Sequence, residues 1–439
     1  MIARLAAGLG FLALILSSGT ALSSTLEGPL QIIVSKDLQS LKVYDGDVVV
    51  AKSKVSTGKA GHSTPTGIFS IIEKKRMHHS NLYDDAPMPF MQRLTWSGIA
   101  LHASSHVPSY PASHGCVRMP NDFAKMLYGL TRRGGHVLVS EGEVEPRRIS
   151  HPFLFRPAVV PPDTQLLSDV QLRPAIPDAT EDAVEVAMAD PKPASAEQIV
   201  KAVPQDPIRV LITRRDVRQT LKDVQVLLND LGHEAGIPDG LAGARTFAAI
   251  RSFQTAEGLK ADGMLTPELI GAVYAKAGKG TPPNGQMLVR RKFKPLFDVP
   301  VTIRDPQTAL GAQFLIARDV DAETGTAEWY GVSLEDRLPA AMKKRLGITA
   351  DADASAPDGI VQALDRIDIP DDARGRIASL LTDGASLSIS DTGLGPETGE
   401  GTDFITVTHK GPAKEKPVKT VQKMKKKPKK KNPSVVAID

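Results

Sequence analysis

From Leu30 the apolar positions run at a period of two. Leu41 and Val43 flank Lys42, Asp45-Gly46 follows as a tight-turn signal, and Val48 and Val50 resume the pattern, which predicts a β-hairpin. Ile68–Ile72 and Gly98–Leu101 predict two further short strands. After Asp122, read as a helix N-cap, the residues Phe123, Met126, Leu127 and Leu130 recur at i, i+3, i+4 and i+7, which predicts one amphipathic helix. Gly134-Gly135 closes that region, and His136 to Val139 returns to strand. Residues 28–140 therefore form a β-rich domain carrying one helix.

The periodicity then stops. Residues 141–207 are rich in Pro, Ala and acidic side chains and are expected to form a linker. Over 221–277 a helical period returns. Val224, Leu227, Leu228 and Leu231 mark a first helix, and Phe247, Ile250 and Phe253 mark the core face of a second. Pro267 opens a third helix carrying Leu269, Ile270 and Val273, while Asp239-Gly240 and Asp262-Gly263 supply the turns. Residues 286–408 mix strand-like runs (Phe314–Ile316, Ser386–Ile389, Phe404–Val407) with a helix near Arg374–Leu381, an α+β region of no assigned role. Residues 409–439 form a Lys-rich tail expected to be disordered. The fold class is multidomain, with a β-rich domain, a small three-helix unit, an α+β region and a basic tail.

The N-terminus changes the chemical picture. Arg4, the apolar run Leu5–Leu16 and the small residues Ser17–Ala21 have the layout of a signal peptide over residues 1–21, with cleavage near Ala21. The run is too short to span a bilayer comfortably. Export to the periplasm, in association with the wall, is the expectation, and export excludes nucleic acid as a partner. The net charge of +4 sits largely in the tail, which suits electrostatic contact with anionic envelope surfaces. One cysteine in 439 residues cannot form an internal disulfide, so Cys116 is free, pairs between chains, or reacts.

The segment around it, Ser113-His114-Gly115-Cys116-Val117-Arg118, favours reaction. A thiol is an effective nucleophile only as thiolate and needs a base. His102 and His114 are both near enough along the chain to meet Cys116, and His102, at the end of the predicted strand Gly98–Leu101, is rigidly mounted. The backbone N–H groups of Gly115 and Cys116 offer an oxyanion site, and Gly115 lets a carbonyl approach. His106, with Pro108 nearby, reads as a surface loop residue, and His62, His78 and His79 read as solvated. A zinc set of His102, His106, His114 and Cys116 can be drawn, but the 102/106 spacing suits a helix and this stretch reads as strand and loop. Neither metal nor cofactor is expected.

With these residues in hand, 29–140 resembles the L,D-transpeptidase (YkuD-type) catalytic family. The likeness rests on Ser113-His114-Gly115-Cys116, on His102 upstream, and on Ser56-Thr57-Gly58-Lys59 followed by Thr64-Pro65-Thr66-Gly67-Ile68-Phe69. Met88-Pro89-Phe90-Met91 and Gly98–His102 add to it. The resemblance implies a β-sandwich, Cys116 as nucleophile and His102 as general base. It further implies an oxyanion site at His114, Gly115 and Cys116, an orienting role for Ser113, and formation of 3→3 peptidoglycan cross-links through a thioester. Arg118 stands where many members carry Asn, and it suits either a stem-peptide carboxylate or a surface ion pair. Leu228, Leu231-Gly232, Asp239-Gly240, Gly243, Thr246, Phe253-Gln254, Gly258-Leu259 and Asp262-Gly263 resemble the three-helix peptidoglycan-binding domain type 1, which implies wall binding. The partners implied are peptidoglycan stem peptides and the glycan wall. Resolution by water would instead give a carboxypeptidase or endopeptidase, a protein acceptor would give wall attachment, and an inactive site would leave a wall-binding scaffold.

Overall fold

In the computed structural model, which describes residues 28–80, 85–159, 206–352 and 358–410, the N-terminal half is built on a six-stranded sheet. Its strand order is Thr406–Val407, Gly67–Ser70, His136–Ser140, Leu30–Ser35, Ser40–Asp45, Val48–Lys54. Leu30–Ser35 and His136–Ser140 pair in parallel at the centre, with Ile32 opposite Val137 and Ile33 opposite Leu138. Successive side chains on a strand point to opposite faces. Ile32, Val34, Leu41, Val43, Phe69, Val137 and Val139 thus enter one core, with Leu94, Leu101, Val117, Ala124 and Leu127. Ile33, Tyr44, Ile68 and Leu138 enter another, against Ala312, Phe314, Ile316, Val332 and Leu334 from far along the chain. Burial on both faces explains why the central strands carry unbroken apolar runs where an outer strand would alternate.

Above the first core lies a four-stranded sheet in the order Glu73–Lys75, Met91–Arg93, Ala100–Ala103, Val117–Met119. The helix Asn121–Leu130 follows directly. Its N-cap is Pro120, without a side-chain cap, and Asp122 lies in the first turn, so the expected cap is displaced by two residues. Proline suits this helix start because its fixed φ is already helical and an N–H there would find no partner. The buried residues are Ala124 and Leu127. Met126 and Leu130 of the expected stripe are exposed, because the helix touches the sheet along a narrower line than its apolar pattern suggests.

The second half corrects the expected linker and α+β boundaries. An eight-stranded sheet runs in the order Arg147–Ile149, Thr326–Leu334, Ala312–Asp321, Ser386–Ser390, Arg209–Arg214, Gly285–Arg291, Lys294–Ile303, Ile367–Asp368. Arg147–Ile149 and the buried Phe153, Leu154 and Phe155 come from the segment read as linker, and Arg209–Arg214 lies between the expected linker and helical unit yet is an inner strand of the sheet. These pieces are short and separated by polar residues, and only the sheet partners supplied from elsewhere hold them as strands. The helix read near Arg374–Leu381 is Asp371–Ala378. Residues 160–205, the rest of the expected linker, lie outside the described residues, as do the expected signal peptide of 1–21 and the expected tail beyond Lys410.

The three helices Val217–Asp230, Ala244–Ala256 and Pro267–Lys276 are inserted between Arg209–Arg214 and Gly285–Arg291, which are neighbouring antiparallel strands. A capping box of Asp216 and Gln219 starts the first helix, and Thr266 with Pro267 starts the third. Val224, Leu228, Ile250, Phe253, Leu269 and Val273 form the unit's core, whereas Phe247, expected inside, is 38% exposed. The two Asp-Gly turns use one device twice. Asp239 and Asp262 each accept from the N–H two residues on, and Gln225 and Gln254 accept from Gly240 and Gly263.

After Ser390 the chain crosses back. Thr406–Val407 pairs with Gly67 and Ile68 at the edge of the six-stranded sheet, and Thr408 bonds Thr66. Of the expected phenylalanine-led strand at 404–407, only these two residues are strand. No helix among the described residues is long and apolar enough to cross a membrane.

The contact between the two sheets generates a stability prediction. Phe314 is fully buried in it and packs against the His136 ring at 4.6 Å. Phe314→Ala is expected to lower unfolding free energy by about 3–5 kcal/mol in denaturant titration, the usual loss for a buried phenylalanine.

Candidate active site

His102 and Cys116 come together through strand register. Ala100–Ala103 and Val117–Met119 pair in parallel, with Leu101 opposite Val117 and His102 opposite Arg118. Leu101, Ala103, Val117 and Met119 face the core. The alternate residues Ala100, His102, Cys116 and Arg118 therefore share the opposite face. His102 lies within this strand, one position beyond the stretch predicted. Its ring Nδ1 sits 2.8 Å from the Ala103 carbonyl oxygen, which makes Nδ1 the protonated nitrogen and leaves Nε2 as the basic one. Burial, with help from the Arg118 guanidinium, pushes the His102 pKa down to about 4, against the opposing Ala103 bond. Burial pushes the Cys116 thiol up, opposed by a backbone bond from Ala100 and by Arg93 and Arg118. Cys116 Sγ donates to the Gly98 carbonyl at 3.4 Å and packs beside Met88, Met91 and Ala100. At neutral pH the resting pair is thus thiol and neutral imidazole.

The turn that carries the thiol is clamped from the upstream segment Ser56–Gly67. Ser56 pairs with Arg118 in an antiparallel bridge, and Gly58 pairs with Ser113 in a parallel one. Thr64 Oγ1 accepts from Gly58 N–H at 2.9 Å and donates to the Gly115 carbonyl at 2.7 Å. Gln39 exchanges two bonds with Thr57, its side-chain amide donating to Thr57 Oγ1 and its carbonyl accepting from Thr57 N–H. Gly58 has no room for a side chain, since a Cβ would lie 1.9 Å from the His62 carbonyl oxygen and 3.0 Å from Gly115 Cα. Gly115 adopts φ +118°, and a Cβ there would meet Ile99 at 2.8 Å. Ser113 Oγ donates to the Cys116 carbonyl at 2.5 Å and accepts from Gly115 N–H at 3.1 Å. The Gly115 N–H is therefore engaged within the turn.

A cavity of about 570 Å³ opens over this face, lined by His102, Ser113, His114, Cys116 and Arg118 among others. His114 is exposed, its ring 4.8 Å from that of His62. His106 lies at the cavity rim on an exposed loop, as its sequence context indicates. His79 is exposed. His78, read as solvated, instead lines the cavity and bonds Arg93 at 3.3 Å. Arg93, Thr64 and Gln39 escape a reading of the sequence. Arg93 is one basic residue on a three-residue strand, and Gln39 acts through a turn. Thr64 belongs to a recognisable signature, but its two bonds depend on the fold.

With this geometry in place, comparison with known proteins adds the following. Residues 29–139 match the family model described as the L,D-transpeptidase catalytic domain, and residues 217–273 match that of a peptidoglycan binding domain. The chain thus carries both modules, each covering a minor part of its length. Among solved structures, an L,D-transpeptidase from Mycobacterium smegmatis is similar at 22% identity and a TM-score of 0.25, over 26% of this chain and 59% of that one. One from Stackebrandtia nassauensis is similar at 27% identity and a TM-score of 0.25, over 27% of this chain and 58% of that one. One from Xylanimonas cellulosilytica shares 28% identity at a TM-score of 0.24, over 26% of this chain and 60% of that one. The matched region spans less than two thirds of the length of each. Comparison with curated proteins gives no match.

The Thr64 clamp can be tested directly. Thr64→Val keeps the shape and removes both bonds, leaving Gly58 N–H and the Gly115 carbonyl buried without a partner. The expected loss is about 2–4 kcal/mol by denaturant titration, and Thr64→Ser should recover most of it.

Proposed function

We propose that this chain is an L,D-transpeptidase that forms 3→3 cross-links in peptidoglycan. The observation that carries the reading is the parallel register that sets His102 and Cys116 on one face beneath a single cavity. The two matched modules, one catalytic and one wall-binding, supply the substrate class. Cys116 Sγ attacks the carbonyl at the L-centre of the third residue of a tetrapeptide stem, and its proton passes to His102 Nε2. The C–N bond to the terminal D-Ala breaks, and the His102 proton goes to the departing amine. A thioester remains. The side-chain amine of a neighbouring stem attacks it, loses a proton to His102, and returns the thiol. Because Gly115 N–H is committed to Ser113, the oxyanion rests on Cys116 N–H, with His114 and Gly115 shaping the turn and Ser113 fixing it. The same reading places the protein outside the cytoplasm, in the periplasm against the wall, with the basic tail in contact with anionic envelope surfaces.

The test is intact-mass analysis of the protein incubated with a disaccharide-tetrapeptide, beside Cys116→Ala. A Cys116-dependent adduct, or a cross-linked dimer with loss of D-Ala, is expected. Release of D-Ala without dimer would make water the acceptor and the protein a carboxypeptidase. Neither product would leave a wall-binding scaffold. The pH profile is a further check. A His102 pKa of about 4 keeps the base neutral down to that pH. The kcat/KM should therefore hold from neutrality down to about pH 5 and fall as pH drops through about 4, because protonated His102 cannot accept the thiol proton. An acid limb near 6.5 would contradict a buried neutral base. His102→Gln should lower kcat/KM by about 100- to 10,000-fold.

A further inference from the structure

The four-stranded sheet sets a row of side chains beside the thiol. Glu73 is the register partner of Arg93, Arg93 is the partner of Ala100, and Ala100 lies beside Cys116, one step before the Leu101–Val117 pair. Register partners point to the same face. The row therefore reads acid, guanidinium, methyl, nucleophile, and Arg93 and Cys116 both line the cavity. Two strand spacings put their Cα atoms roughly 10 Å apart. The residue between them in the row, Ala100, carries only a methyl, while Met88 and Met91 pack against the thiol beside it.

Arg93 is held in place. Its Nε donates to Glu73 Oε2 at 2.8 Å, and its Nη2 lies 3.3 Å from His78 Nε2. Glu73 is shared with Lys75 at 3.0 Å, so one carboxylate faces two cations and the cluster stays positive. A guanidinium carries five N–H donors in a fixed plane, and these two contacts take only part of them. Fixed by Nε, the fork meets a carboxylate with little further loss of side-chain freedom.

We infer that Arg93 binds the free terminal carboxylate of the donor peptide, the group on the residue that leaves when Cys116 is acylated. This rests on the transpeptidase reading and deepens it. From scissile carbonyl carbon to that carboxylate carbon is three bonds, roughly 4 Å. That span, with the reach of the cysteine at one end and of the arginine at the other, fits a row roughly 10 Å long. Arg93 then selects donors that end one residue beyond the attacked carbonyl and still carry the negative charge. Arg118 lies in the next row, opposite His102, and no carboxylate anchors it among the described residues.

The experiment compares a tetrapeptide donor with its C-terminal amide, using the full chain and its Arg93→Gln, Arg93→Lys and Arg118→Gln variants. The wild type should prefer the acid by about 10- to 100-fold in kcat/KM, the range for hydrogen bonds to a charged group. Arg93→Gln should lose that preference: both donors slow together by whatever the guanidinium contributes to thiolate formation, and the acid slows by a further factor of about 10 to 100. Arg93→Lys, which keeps the charge without the fork, should retain part of it, and Arg118→Gln should retain it whatever its overall rate. Alkylation of Cys116 by iodoacetamide reports that each variant is folded with its thiol accessible. Retention of the acid preference in folded Arg93→Gln and Arg93→Lys overturns the inference, as does its loss in Arg118→Gln alone. If the wild type consumes both donors equally, the carboxylate is not read and the inference falls while the transpeptidase reading stands. If it consumes neither, that reading falls first.

Discussion

The strand pair Leu30–Ser35 and His136–Ser140 buries side chains on both faces, and that double burial joins the two halves of the molecule. One face closes the core beneath the reactive thiol. The other is covered by an eight-stranded sheet drawn from residues 147 to 390. Without that cover, Ile33, Tyr44, Ile68 and Leu138 would present an apolar patch to water, a costly arrangement for a free domain. The second half of the chain is therefore part of the structural support of the catalytic half.

Polar contacts follow the same seam. Arg209, buried at the junction, donates to the Gly134 and Gly384 carbonyls, one in each half, and faces Asp403. The last described segment then adds Thr406–Val407 to the edge of the catalytic sheet, next to the strand that opens at Gly67. Covering an edge removes unpaired backbone groups that would otherwise invite another strand. Gly67 is reached from the Ser56–Thr66 signature that clamps the thiol turn, so the end of the chain braces the site through its neighbour in sequence. Glu397 also accepts from Trp96 and Ser97 N–H, in the turn that leads to the Gly98 carbonyl at Cys116 Sγ.

The thiol and its base are held by neutral burial. His102 at about 4 and a raised Cys116 thiol leave no preformed ion pair. Proton transfer then belongs to the moment of attack, and nearby guanidiniums offset part of the cost of the developing thiolate. A thiol held in its neutral form is also less open to adventitious oxidation, since reactivity follows thiolate character.

Much of this was legible in the residues alone. Cys116, its flanking Ser113-His114-Gly115 and the upstream His102 stand out because here a thiol and a candidate base fall within one short stretch of chain. The three helices are legible because their signals, Pro267, the Asp239-Gly240 and Asp262-Gly263 turns and the apolar 3.6-residue spacing, are local. Arg93 was not legible, because its place beside the thiol comes from register across three strands, and register is a property of pairs of segments. The acceptance of 147–155 and 209–214 into one sheet, with a helical unit inserted between two of its neighbouring strands, was hidden for the same reason. Local pattern determines where a helix starts and which residue can be a nucleophile. Only the tertiary structure decides what stands beside it, because strand partners are chosen by burial summed over the whole chain.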